Sequence, residues 1–413
     1  MTPQKTHQRA KTPARGWAAL GVMLLVSQRL AIPIAGGQVP LNALIAILLI
    51  VALVSRGGYR LSPAPLILLM TFAAIGGISA LVSPEGGSIL SLAQVLLLWL
   101  PWVLGAASNS EQPLAALLSA VVHMTVAASL FAVVQTSVSA ATGVFPDPLA
   151  AIPSDFLLSG YNTTYNVGSI GDWDKGNGGI FLEPSFLSLF AALAITILIV
   201  DSKTKSGRRG VFIACLAAGM ACSAALSGLV VVPAVILAAL RHPRRSLVVL
   251  SGLAVVIGFA ASTPIVQAFL ARLGSSGSND ARLVRPYTEL LPLVLRERPL
   301  LGYGPGGADD AAALLSGNDW QAEVTAPTIV KLLFDYGLIG GVVLALLVVL
   351  VLARSRVPGL VKLALLIALV VPTNGLANPV LAPLTGFILV AGVAASAPRR
   401  LEYRRRYDAP YRA

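Results

Sequence analysis

The sequence predicts an all-α polytopic membrane protein with about twelve transmembrane helices, two long outer loops and no soluble domain of ordinary size. Three observations carry this. Only 12% of the residues are charged and the mean hydropathy is +0.80, whereas a soluble protein carries about 25% charged residues. Uncharged apolar runs such as Leu41–Val54 and Gly340–Ala353 recur along the whole chain, and spans of about 20 residues each would use most of its length. The basic residues sit in the short segments between those runs, as the positive-inside rule requires.

The elements follow in order. The first apolar run, Trp17–Ile34, has a basic flank and no small-residue cleavage site, so it is expected to be a retained first helix over 17–35. Further helices are expected at about 41–55, 63–82, 88–107, 113–141, 179–201, 210–226, 228–241, 246–270, 326–353, 358–373 and 376–396. Ser227 and Gly228 alone separate the seventh from the eighth, and the helix at 358–373 is short. The organisation is then a cytoplasmic tail at 1–15, one membrane domain at 16–397 and a basic tail at 398–413. Cys215 and Cys222 are seven apart on one helix, too far to bridge.

With the N-terminus inside, 22 of the 30 Lys and Arg residues fall on cytoplasmic segments. Both termini are therefore expected in the cytoplasm, and the loops at about 142–178 and 271–325 on the outer side. The net charge of +12 reads as topology, and nucleic acid is not an expected partner.

Eight basic residues depart from that distribution: Arg29, Lys175, Arg272, Arg282, Arg285, Arg296, Arg298 and Lys331. Five of them lie between Arg272 and Arg298. Guanidiniums at an outer membrane surface suit a phosphate or pyrophosphate. Ser278-Asn279-Asp280 offers a helix start, after which Arg282, Arg285, Glu289 and Arg296 share one face, with Leu283, Leu290, Leu291 and Val294 opposite. This predicts an amphipathic interfacial helix kinked by Pro286 and Pro292, with Glu289 four residues past Arg285 and able to hold it.

Gly302-Tyr303-Gly304-Pro305-Gly306-Gly307 then permits a tight turn and close backbone approach. Glu183 opens the sixth helix, where it either complements the dipole or, beside Phe181 and Phe186, acts as a general base. Lys331 and Asp335 are four apart and can pair. Arg29 and Gln28 read as interhelical contacts or snorkelling side chains. No His, Cys and Asp cluster has metal-ligand spacing, so neither metal nor other cofactor is expected.

Three stretches resemble the Wzy-type polysaccharide polymerases and O-antigen ligases. They are Lys175-Gly-Asn-Gly-Gly-Ile-Phe-Leu-Glu183-Pro184-Ser185, Ala281-Arg282 through Arg298-Pro299-Leu300-Leu301-Gly302-Tyr303-Gly304, and Leu332 through Gly340. The resemblance covers roughly residues 165–345 with the helix count and loop pattern. It implies an inner-membrane glycosyltransferase that uses an undecaprenyl-pyrophosphate-linked oligosaccharide and needs no metal. It also implies membrane lipid around it, and a flippase and chain-length regulator of the same pathway as partners. Carried onto this sequence, Glu183 would be catalytic, and Lys175, Arg282, Arg285, Arg296, Arg298, Tyr303 and Lys331 would bind substrate. Asp309, Asp310 and Glu323 are alternative bases. One departure favours polymerase over ligase: the ligases place a histidine where this chain has Thr325-Ala326-Pro327-Thr328. A ligase and a secondary transporter or flippase are the rival readings.

Overall fold

A computed structural model describes residues 14–34, 37–83, 87–106, 112–161, 163, 174–201, 204–242, 284–316, 326–371 and 375–393. The chain is mostly helical, at 74%, with few strands. Among the described residues three helices are long and apolar enough to cross a membrane: Pro63–Val82, Pro113–Thr142 and Thr328–Arg354. Six shorter apolar helices accompany them among the described residues.

In chain order the elements are α1 (Ala14–Val26), β1 (Ala31–Ile34), β2 (Gly37–Pro40), α2 (Leu41–Ser55), β3 (Tyr59–Leu61), α3 (Pro63–Val82), α4 (Ile89–Trp99), β4 (Leu104–Ala106) and α5 (Gln112–Thr142). They continue with α6 (Pro184–Val200), α7 (Ser206–Ser223), α8 (Val232–Arg241), α9 (Leu291–Glu297), α10 (Gly307–Ser316), α11 (Thr328–Arg354), α12 (Gly359–Val370) and α13 (Leu381–Ala391).

Prolines account for most differences from the expected boundaries. The first helix stops at Val26, short of the expected 35, and the chain turns into an antiparallel ribbon that pairs Ala31 with Pro40 and Pro33 with Gln38. Pro33 lacks the N–H a continuing helix would need. The helix expected over 88–107 ends at Trp99, gives way to a 3-10 turn with Pro101 in its first turn, and then forms β4, which pairs with β3. The sixth helix starts at Pro184 rather than 179. The seventh runs Ser206–Ser223 and stops at Ala224, which takes a left-handed φ of 42°. The eighth begins as a 3-10 turn over Leu226–Val231 before Pro233 starts α8. The last is shortened to Leu381–Ala391, where Asn378 Oδ1 accepts the Val380 and Leu381 N–H groups. The helix expected at 246–270 lies outside the described residues.

The core is organised around α6 and α13. Every residue of α6 from Pro184 to Ile199 is buried except Ser185, and all of α13 is buried. A helix apolar on all sides belongs in the interior. Helices α5, α7, α8 and α12 surround α6, while α13 packs on the 3-10 turn at Leu100–Val103. Indole N–H groups of Trp99 and Trp102 donate to the Leu376 and Ala382 carbonyls at 2.9 Å and tie α4 to the C-terminal helices. A second, smaller cluster of Leu290, Val294, Ala308, Ala312, Val330 and Phe334 seats the 284–316 segment on the first turns of α11.

Candidate functional site

The stretch before α6 is pressed against α5 with no room for side chains at its glycines. A Cβ at Gly176 would lie 2.6 Å from the Ala132 carbonyl, and one at Gly178, where φ is +70°, would lie 2.7 Å from the Ala128 carbonyl. Gln135 of α5 holds this stretch. Its Oε1 accepts the Asn177 and Gly178 N–H groups at 3.1 and 2.8 Å, and its Nε2 donates to Asn177 Oδ1 at 3.1 Å. From the far end of α1, Arg29 donates to the Gly179 carbonyl at 2.9 Å and grips Asp147 with both terminal nitrogens at 2.8 and 2.6 Å. Burial alone would push the Asp147 carboxyl up, but the Arg29 hydrogen bond, the Leu149 N–H and the guanidinium charge together hold it below the usual carboxylate range.

Glu183 ends this stretch in extended conformation and hands over to Pro184, the first residue of α6. Its backbone carbonyl accepts the Phe186 N–H at 3.1 Å, while its side chain makes no capping bond to the helix. Its carboxylate instead accepts the Ser185 hydroxyl at 2.8 Å. Lys175 is buried at 6% exposure.

A break in α11 forms the other half of the site. Gly337 sits inside this helix at φ 64° and ψ −171°, so the ladder is interrupted there. The backbone groups freed at the break are taken by the segment 299–304. Tyr303 and Gly304 N–H donate to the Phe334 and Asp335 carbonyls at 2.7 and 3.0 Å, and Leu338 and Ile339 N–H donate to the Pro299 and Leu300 carbonyls at 2.8 and 3.2 Å. In a low-dielectric setting each unmade bond of this kind is costly, so the glycine segment and the break require one another. Gly302 and Gly304 supply the positive φ values of 71° and 95° that this path needs. Ser79 of α3 and Ser83 just past its end fasten it: Ser79 Oγ donates to the Leu301 carbonyl at 2.6 Å and Ser83 Oγ to the Tyr303 carbonyl at 2.5 Å.

Charged groups gather beside the break. Lys331 is 4% exposed, and its ammonium lies 2.6 Å from Asp309 Oδ2 and 3.6 Å from Asp335 Oδ2. Asp335 also accepts the Ala308 N–H at 2.8 Å, which places a carboxylate at the N-terminus of α10, where the helix dipole favours it. The Asp309 side chain is 66% exposed, so it is the member of this trio that a ligand can reach. Tyr161, on the chain between α5 and α6, links the two halves. Burial raises its hydroxyl pKa first, and the nearby charges of Glu183 and then Asp309 raise it further. The Tyr161 ring meets Phe186 of α6 edge-on at 6.2 Å.

The arginines of the 284–298 segment each have a local partner. A π-type turn over Pro286–Leu290 runs into α9, and both prolines fall in first turns, so the expected kinks are absorbed there. Arg285 Nε and Nη2 meet both Glu289 oxygens at 2.9 and 3.1 Å, the expected pair. Arg296 meets Glu297 at 3.0 Å with its side chain 77% exposed. Arg298 lies over the Tyr303 ring at 4.9 Å, and that ring stacks on Phe334 at 4.6 Å. The Tyr303 hydroxyl and the Arg296 guanidinium both donate to Glu297 and hold its carboxyl below the usual range. Arg282, Arg272, Glu323 and the Ser278-Asn279-Asp280 helix start lie outside the described residues.

No family model matches this chain, and no curated protein matches it. The site is therefore read on its own geometry. Of the residues singled out in the sequence, Lys331 and Asp309 touch directly, while the Glu183 carboxylate is bonded to Ser185 at the start of α6. Arg298 and Tyr303 touch each other, while Arg285 and Arg296 are each paired with a neighbouring glutamate. Sequence reasoning missed Tyr161, Gln135 and Asp147, and it took Arg29 for a lipid-facing or interhelical contact. The sequence signalled only that a cation inside an apolar run needs a partner; the choice of Asp147, 118 residues on, is made by the fold.

Proposed function

We propose that the protein is an inner-membrane glycosyltransferase that polymerises polyprenyl-pyrophosphate-linked oligosaccharide repeat units on the periplasmic side. In this reading the chain has about twelve spans, both termini are cytoplasmic, and the segments 142–178 and 271–325 are periplasmic. The acceptor hydroxyl oxygen attacks the anomeric carbon of the donor sugar with inversion and gives its proton to Glu183. The bond from that carbon to the pyrophosphate oxygen breaks, and the polyprenyl pyrophosphate leaves with the bonding pair. Tyr303 and the arginines 282, 285, 296 and 298 form the substrate-binding surface, and the buried Lys175 and Lys331 support it with positive charge from beneath. Arginine stabilises the growing phosphate charge without a metal and without losing its own proton.

The observation that carries the reading is the buried Lys331 ammonium, 2.6 Å from the exposed Asp309 carboxylate and beside the break in α11 on which the glycine segment docks. Glu183, the acid at the start of α6, is the proposed base, and its carboxylate is held by the Ser185 hydroxyl at 2.8 Å. Asp309, exposed at 66%, is the second acid able to take the proton. The break in α11 also suits a secondary transporter, in which unwound backbone groups coordinate an ion. Here four of those groups are already bonded to residues 299–304, which favours a fixed site over an ion-coordinating one.

The test is purified full-length protein in detergent with a lipid-linked oligosaccharide donor. Products longer than one repeat support a polymerase, glycan on a lipid or protein acceptor supports a ligase, and neither product overturns glycosyl transfer. Orientation is tested separately. In a Cys215→Ser, Cys222→Ser background, an impermeant thiol reagent on spheroplasts should label Ser154→Cys and spare Ser206→Cys; the reverse pattern would invert the frame.

A further inference from the structure

A second opening lies at the other ends of α5 and α6. From Pro184 beside Glu183 to Val200 is 17 residues, about 25 Å of helix. There a cavity of about 990 Å³ has apolar walls that include Leu118 and Val122 of α5, Ile197 of α6 and Val361 of α12. Its rim carries Lys205, Arg208 and Arg356 against one carboxylate, Asp201. That carboxylate is occupied by its own turn, accepting the Thr204 N–H at 3.2 Å and the Thr204 hydroxyl at 2.7 Å.

Arg208 is held in place. One of its terminal nitrogens is 2.7 Å from His123 Nε2, and His123 Nδ1 is 2.7 Å from the Ser119 carbonyl. A carbonyl only accepts, so Nδ1 carries the proton, and Nε2 is left to accept from the guanidinium. The guanidinium also lies 4.9 Å over the Phe212 ring. An uncharged imidazole and an aromatic face thus orient Arg208 without neutralising it, and its free donors remain for an anion.

An apolar slot under a cationic rim suits a molecule with one negative head and hydrocarbon tails. We infer that this cavity binds one anionic phospholipid, its phosphate diester at Arg208, Lys205 and Arg356 and an acyl chain along Leu118, Val122, Ile197 and Val361. A soluble phosphate would leave those walls exposed to water. A zwitterionic lipid would bring its own ammonium to three cations at once. The inference does not rest on glycosyl transfer and survives its failure.

The test uses full-length protein in a nonionic detergent with equal amounts of dioleoyl phosphatidylglycerol and dioleoyl phosphatidylcholine, the adducts read by native mass spectrometry. Phosphatidylglycerol should be retained about tenfold over phosphatidylcholine, and each cation removed should cost about fivefold. Lys205→Gln and Arg356→Gln change exposed side chains and leave the fold in place; Arg208→Ala is the third variant. Arg56→Gln, an exposed cation outside the cavity, should change nothing. Leu118→Trp should reduce retention by filling the wall without altering a charge. Equal retention of the two lipids, wild-type retention in Lys205→Gln with Arg356→Gln or in Leu118→Trp, or displacement of the lipid by excess inorganic phosphate would overturn the proposal.

Discussion

Replacing Gly337 by alanine tests whether the break in α11 and the docked glycine segment depend on one another. Gly337 holds φ 64° and ψ −171°, a combination that costs an L residue about 1–3 kcal/mol. Its new Cβ would lie 2.2 Å from the Leu300 carbonyl oxygen, so the 299–304 segment must retreat by about 1 Å to reach ordinary contact. That loosens the bonds from Leu338 to Pro299 and from Ile339 to Leu300, each worth about 0.5–1.5 kcal/mol net. The sum is about 2–6 kcal/mol. If residue 337 instead became helical, the Tyr303 and Gly304 N–H groups would lose their acceptors, and the sign would be the same. Thermal unfolding in detergent should show Gly337→Ala melting about 5 °C or more below wild type. Gly77→Ala is the control, because a Cβ there meets nothing within 4 Å; it should melt with the wild type or slightly above it. A Gly337→Ala protein that melts with the wild type would refute the dependence.

Glu183→Gln should lower polymerisation by about 10²-fold with an unchanged melting temperature, because its carboxylate makes no capping bond to α6; normal glycan length would remove it as the base. Arg285→Lys should impair donor turnover nearly as much as Arg285→Ala, since an ammonium cannot reproduce a fork that spans two oxygens; full activity in the lysine variant would mark Arg285 as an anchor. Arg29→Ala should destabilise by about 3–5 kcal/mol, the cost of leaving one member of a buried pair. The Asp147 carboxyl is held below its ordinary value of 3.8, so its contribution is present above that pH and is lost as pH falls through the lower folded value. Unfolding of the wild type should therefore become easier with acid below about pH 4, and Arg29→Ala should lose the part of that dependence that Asp147 contributes.

Composition made the helical class and the long apolar helices readable, because runs of about 20 uncharged apolar residues favour helices long enough to cross a bilayer. Helix ends were less readable. Pro33, Pro101 and Pro233 each ended or restarted a helix inside an apolar run, and hydropathy does not register a missing N–H. The pairing of Arg285 with Glu289 was legible, being set by four-residue spacing on one turn of helix. The Asp309 to Lys331 contact was not, because it spans 22 residues and depends on how residues 299–306 fold back. Gly337 was hidden for the same reason. Its Asp-Tyr-Gly-Leu context reads as ordinary helix until the carbonyls of Phe334 and Asp335 are seen to accept from Tyr303 and Gly304.

The Arg29 clamp has a consequence for biosynthesis. Asp147 follows Arg29 by 118 residues and Gly179 by 150. At about 5–20 residues per second, the ribosome makes Asp147 about 6–24 s after Arg29. In the proposed orientation the guanidinium has by then crossed the bilayer without its native partner Asp147, and it must wait at the headgroup level, where lipid phosphates can hold it. Its burial can be completed only after α5 has been threaded and the loop beyond it has emerged. The chain preceding α6 is thus seated late, when the nascent protein already contains the helices that will enclose it.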